Sequence, residues 1–157
     1  MVNGFYTSFE LAFAKSQIAA GAELPTSGAV FISVHDFYKE RIVPVARSFA
    51  DLGFTIMSTT GTAAYLNVHG VDVQTVLKVS EGRPNVMDYI KNGQIQLIIN
   101  ASIGRKPTED AHKLRQSAIR YNIPYSTTIS ASRATSEAIK ALQGNHLQVR
   151  ALQDYFS

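Results

Sequence analysis

Hydroxyl, ammonium and amide side chains recur at one kind of place in this 157-residue sequence, just after short apolar runs. The densest group is Ser58-Thr59-Thr60-Gly61-Thr62, which follows Gly53-Phe54-Thr55-Ile56-Met57 and opens the helical pattern Ala63-Ala64-Tyr65-Leu66. A strand that turns through hydroxyls and a glycine into a helix makes an anion site. The first helical N–H groups have no partner inside the helix, and they stand at the positive end of its dipole. Lys39 falls in the first turn of the helix after the first strand, Lys78 ends the third strand, and Asn100 ends the fourth, with Ser102 two residues on. Two ammonium groups, the hydroxyls of Thr59 and Thr62, and a helix N-terminus suit a phosphate monoester, while the Asn100 amide suits a ribose or a base edge. Helix capping alone also explains Ser and Thr at such a turn, and a single lysine is ordinarily solvated. The shared placement at one edge is what favours a ligand.

The elements that must position these groups alternate. Ala29–Val34, Phe54–Ser58, Val71–Leu77, Gln96–Asn100 and Pro124–Thr128 read as strands. Helices are expected from about Phe37 to Leu52, after Gly61, and over Asn85–Lys91, Glu109–Tyr121 and Ser132–Leu142. Leu147-Gln148-Val149 reads as a small edge strand before a terminal helix. Asp36 stands where it would cap the first of these helices, and Pro44 is expected to kink or locally unwind it. Asn92-Gly93 closes the helix before the fourth strand. Continuous apolar strands alternating with amphipathic helices predict an α/β fold: a doubly wound, Rossmann-like, five-stranded parallel sheet flanked by helices. Ligands of such sheets bind at the carboxyl ends of the strands. Upstream, Ser8 to Ile18 has helical spacing with a Ser cap, and the Gly/Pro/Ser stretch to Gly28 behaves as a linker. One helix and a linker cannot bury their own apolar face, so residues 1–27 either pack on a main domain at 28–157 or are the last piece of another domain.

Composition narrows the function classes. A chain of 157 residues is about one domain, and 45% hydrophobic against 17% charged residues is a globular balance rather than a disordered one. The formal net charge of +3 favours a small anionic ligand but is too scattered for nucleic acid. There is no cysteine, which removes disulfides and thiolate chemistry and fits a reducing cytoplasm. No apolar run approaches the roughly 18 residues of a membrane helix, and no signal-peptide pattern opens the sequence, so a soluble, cytoplasmic protein with no membrane partner is expected. His35, His69, His112 and His146 lack metal-ligand spacing, and no Ser-His-Asp or paired-carboxylate arrangement stands out. Binding is more legible than catalysis.

The ordered set Ser33-Val34, Lys39-Glu40-Arg41, Gly53-Phe54, Thr60-Gly61-Thr62-Ala63, Lys78-Val79-Ser80-Glu81-Gly82-Arg83-Pro84, Ile90-Lys91-Asn92-Gly93, Ile98-Ile99-Asn100 and Arg115-Gln116-Ser117-Ala118 closely resembles the C-terminal allosteric domain of the carbamoyl phosphate synthetase large subunit, bacterial type, a methylglyoxal-synthase-like domain. The likeness covers about Gly28 to Ser157, and Ser8–Lys15 looks like the tail of the preceding synthetic domain. It implies a C-terminal piece of a glutamine-hydrolysing ligase that makes carbamoyl phosphate from glutamine, bicarbonate and ATP for pyrimidine and arginine biosynthesis. The whole enzyme would use ATP with Mg or Mn and K; this piece would need no cofactor or metal, hold no catalytic residue and serve regulation.

The resemblance also implies a nucleotide site for uridine monophosphate (UMP) or inosine monophosphate (IMP). Lys39, Thr59, Thr62 and Lys78 would hold the phosphate, with Asn100, Ser102 and Asp110 nearer ribose and base. The family binds ornithine through a Tyr-Asp-Thr segment, here Tyr125-Ser126-Thr127; Ser126 removes the carboxylate that would meet the ligand's ammonium, so ornithine binding by Tyr125 and Thr127 is left open. Implied partners are the remaining synthetase domains, the small glutaminase subunit and a second copy through self-association. Two enzyme readings compete: a methylglyoxal synthase that eliminates phosphate from dihydroxyacetone phosphate, and a purine-biosynthetic cyclohydrolase domain with a similar Ser-Thr-Gly loop. The synthase needs a carboxylate base beside the phosphate. Gly82-Arg83-Pro84-Asn85 stands where related synthases carry Gly-Asp, and the remaining cyclohydrolase segments are not evident.

Overall fold

The run Ala29-Val30-Phe31-Ile32-Ser33-Val34 has no polar side until Ser33, so it can only be stable with both faces covered. It forms β1 (Ala29–Val34), the central strand of a five-stranded sheet in the computed structural model, which describes residues 23–104 and 108–156. The expected Ser8–Ile18 helix and the Arg105-Lys106-Pro107 part of a loop lie outside the described residues. The other strands are β2 (Thr55–Ser58), β3 (Val73–Thr75), β4 (Leu97–Ala101) and β5 (Tyr125–Ser126). Their order is β3-β2-β1-β4-β5, and every pairing is parallel. The chain moves outward from β1 to β3, then returns to place β4 on the opposite side of β1. That reversal puts the topological switch point between the carboxyl ends of β1 and β4, where Ser33 and Asn100 pair in register.

Side-chain alternation splits the core in two. Val30, Ile32 and Val34 pack on one face with Ile42, Ala46 and Phe49 of α1 (Lys39–Asp51), Leu66 of α2 (Thr60–Val68) and Ile139 of α5 (Ile129–Phe156). Ala29 and Phe31 pack on the other with Val86 and Ile90 of α3 (Val86–Lys91) and Leu114 and Ala118 of α4 (Glu109–Arg120). Helices α3 and α4 begin at side-chain caps. Asn85 accepts from the Met87 N–H at 2.9 Å while the Asp88 carboxylate accepts from the Asn85 N–H at 2.8 Å, a reciprocal capping box. Thr108 accepts from the Ala111 N–H at 3.1 Å. As expected, α3 stops at Asn92-Gly93, where Gly93 takes φ +73°.

Several expectations are corrected. Asp36 does not cap the first helix: a 3-10 turn over Asp36–Tyr38 precedes it, and the His35 ring accepts from the Phe37 N–H at 3.1 Å. Helix α1 passes unbroken through Pro44. Both Pro44 and Glu40, the residue one turn back whose carbonyl loses its donor, are exposed, so that carbonyl meets water. Helix α2 begins before Gly61, not after it, and β3 and β5 are shorter than their apolar runs. The β5 run ends early because the Thr128 hydroxyl accepts from the Ala131 N–H at 3.0 Å, which starts α5 at Ile129. There is no strand at Leu147-Gln148-Val149, since α5 continues through it as one 28-residue helix. Three alternating residues cannot be told from a helical segment by periodicity, and extending a helix avoids a second nucleation.

Candidate functional site

The switch point is hollow. A cavity of about 220 Å³ opens there, with Phe31, Val79, Val86 and Leu114 as apolar lining. Its polar lining includes Thr59, Lys78, Asn100, Ser102 and Asp110, five of the seven effector-site residues expected from the sequence. They arrive from four places in the chain, Asn100 and Ser102 together from the end of β4. Thr59 leaves β2 in extended geometry (φ −73°, ψ 163°) as the N-cap of α2, and its hydroxyl makes no capping bond. Lys78 follows β3 and does not end it; its N–H donates to the Glu81 carboxylate at 2.7 Å, which shapes the 3-10 turn Val79–Glu81 beside the cavity. Asn100 sits in β4, and Asp110 is the second residue of α4.

Lys39 and Thr62 do not line this cavity. The Thr62 hydroxyl lies 3.5 Å from both the N–H and the carbonyl of Val34, which places it against the end of β1. Lys39 forms an ion pair with Asp36 at 2.6 Å, and its ammonium lies over the first turn of α2, 3.3 Å from where a Cβ on Gly61 would stand. Gly61 thus has a different purpose from the one its type suggests. Its φ is not positive; it is a helical residue whose missing side chain leaves room for Lys39. Ser58, counted with the loop from sequence, is a fully buried strand residue that donates to the Ile32 carbonyl.

Tyr125 and Thr127 part company. The Asn100 amide donates to the Tyr125 hydroxyl at 3.0 Å, so Tyr125 braces the cavity's amide, and burial pushes its phenol above its ordinary pKa. Thr127 lines a separate concavity of about 330 Å³ with Tyr38, Arg41 and Arg133. Between them Ser126 is fully buried, its hydroxyl 3.0 Å from that of Ser132. Ser33 and Thr108 also line the cavity, unforeseen as site residues. Thr108 carried a signal in its cap position before Glu109-Asp110; Ser33 was visible only as the one polar side chain of β1. Among the described residues no group of three or more His, Asp or Glu side chains could hold a metal ion.

The family model of the MGS-like domain matches residues 41–127. The chain belongs to the MGS-like domain family. The chain is 46% identical over 155 residues to the carbamoyl phosphate synthase large chain of Rhizobium meliloti (strain 1021), covering 99% of this chain and 13% of that protein. It is 46% identical over 156 residues to the chloroplastic arginine-specific large chain of Oryza sativa subsp. japonica, again 99% of this chain and 13% of the relative. With the C-terminal section of the large chain from Aquifex aeolicus (strain VF5) it shares 44% identity over 161 residues, covering 99% of this chain and 30% of that one. The chain therefore spans between about an eighth and a third of the length of these relatives. Its fold matches the crystal structure of methylglyoxal synthase from Elizabethkingia anophelis NUHP1 with a TM-score of 0.58 at 17% identity, over 69% of this chain and 76% of that one.

In this MGS-like domain the role of Gly61 is open to test. Gly61→Ala leaves α2 folded, because alanine favours a helix over glycine by up to about 1 kcal/mol, but its methyl group crowds the Lys39 ammonium. A thermal melt at or above the wild-type midpoint, with weaker binding of a phosphate monoester, is the expected pair of results. Unchanged affinity would mean that the Lys39 ammonium gives way to the methyl group without losing the anion.

Proposed function

We propose that this chain is the effector-binding domain of a carbamoyl phosphate synthetase large chain and takes a nucleoside monophosphate, UMP or IMP, at the switch-point cavity. The convergence of Thr59, Lys78, Asn100, Ser102 and Asp110 on that one cavity carries the reading. Phosphate would lie toward the N-terminus of α2, with the Thr59 hydroxyl, Lys78 and Lys39 around it and Thr62 in the same helical turn. The N-terminal N–H groups of α2 and the ammonium groups then act on one dianion. Asn100, Ser102 and Asp110 would meet ribose and base over the apolar lining of Val79, Val86 and Leu114.

The domain would do no chemistry itself. Bound nucleotide would bias the synthetic domains by differential contacts across their interface. The proposed whole enzyme, cytoplasmic and paired with a glutaminase subunit, would make carbamoyl phosphate with ATP, Mg or Mn, and K. Residues 1–27 would belong to its preceding domain. Among the described residues no helix is long and apolar enough to cross a membrane. Ornithine is a weaker candidate: the buried Ser126 offers no carboxylate.

The fold likeness favours a second reading, a methylglyoxal synthase. Against it, the Asp88 carboxylate is occupied by Arg83 at 2.6 Å and by the Asn85 N–H at 2.8 Å, as an ion pair and helix cap rather than a base. Titration calorimetry of the folded chain with UMP, IMP and ornithine at low salt is the test. Nucleotide binding without methylglyoxal formation is expected. Absence of any nucleotide heat removes the proposed site, and turnover of dihydroxyacetone phosphate above that of Lys39→Ala favours the enzyme.

A further inference from the structure

Lys39 occupies an electrostatically awkward place. Its ammonium is held over the first turn of α2, where the helix dipole is itself positive, and only 18% of its side chain is exposed. Asp36, 84% exposed, supplies the neutralising charge at 2.6 Å. The carboxylate has no capping role to keep it there, since His35 caps that 3-10 turn. A pair whose carboxylate is this exposed adds little to stability. Lys39 beside it, through a hydrogen bond and then through charge, holds the Asp36 carboxyl below the usual carboxylate range. An incoming phosphate monoester would bring about −1.5 to −2 charges to the same spot, more than a carboxylate does.

We propose that Asp36 is a built-in competing anion: it pairs with Lys39 when the site is empty, gives Lys39 up when a phosphate monoester binds, and so sets the affinity of the site. The inference rests on the nucleotide reading above and adds a tuning residue outside the cavity. Removing the competitor spares the ligand the work of breaking that pair.

The test is a double-mutant cycle by calorimetry with UMP and with IMP at low ionic strength, using wild type, Asp36→Asn, Lys39→Met and the double variant, each checked for a native circular dichroism melt. Asp36→Asn is expected to tighten binding by roughly two- to fivefold, and the gain is expected to vanish in the Lys39→Met background. Measurable binding by Asp36→Asn alone would support the same conclusion. Equal affinity of wild type and Asp36→Asn overturns the competitor while leaving the nucleotide site intact. A gain that survives in Lys39→Met also overturns it, because Asp36 would then act on the ligand directly. No binding by any of the four removes both readings.

Discussion

Lys78→Ala is expected to weaken UMP or IMP binding by about ten- to a hundredfold and to leave the unfolding free energy nearly unchanged. Lys78 is an exposed residue that lines the cavity, and it has no ion pair among the described residues. Nothing in the core depends on it, so the stability change should stay within about 0.5 kcal/mol, as for other surface substitutions. Its contribution to a bound phosphate is that of a hydrogen bond to a charged group, about 1.5–3 kcal/mol, with about 1.4 kcal/mol per tenfold in affinity. Arginine restores charge but not reach or shape, so Lys78→Arg should recover part of the loss. Calorimetry at two salt concentrations, beside a urea titration, separates the outcomes. Affinity within twofold of wild type would take Lys78 out of the phosphate site, whatever the family.

Phe49→Ala should be the opposite kind of variant, costing about 3–5 kcal/mol of stability with no direct effect on the ligand. Phe49 is fully buried in α1, meets Phe54 edge to face with ring centroids 5.7 Å apart, and belongs to the core cluster that joins α1, β1, β2 and α5. Truncation removes apolar contact and leaves a cavity that closely packed neighbours fill only in part. Since domains are stable by about 5–15 kcal/mol in total, the urea midpoint should fall steeply. The folded fraction should still bind nucleotide with wild-type affinity. Phe49→Leu, which keeps most of the volume, should lose much less. A loss below about 1 kcal/mol for Phe49→Ala would mean that α1 is not packed against the sheet at that point.

How far the two variants were foreseeable differs. Phe49 is legible from the apolar spacing of α1 alone, because a helix must bury one stripe. The boundaries at Ala29–Val34 and Glu109 were readable for similar local reasons, apolar continuity in one case and a Thr cap before acidic residues in the other. A glycine between threonines is a turn signal in sequence, and only the approach of Lys39 from another helix gives Gly61 a second meaning. Leu147–Val149 is ambiguous because a strand and a helix share that three-residue pattern.

For the site, the sequence by itself determined the chemical types and their edge: hydroxyls, ammonium groups and an amide after successive strands of a parallel sheet. The alternation of strand and helix is set mainly by the local apolar pattern, so neighbours suffice to read which residues follow a strand. Which of these groups meet depends on how the sheet and helices pack. That packing brought Thr59, Lys78, Asn100, Ser102 and Asp110 to one cavity, gave Thr62 to the end of β1 and Lys39 to Asp36, and divided Tyr125 from Thr127. Those outcomes depend on the register of β1 against β4 and on the direction each side chain takes between packed layers. Both arise from contacts between distant parts of the chain.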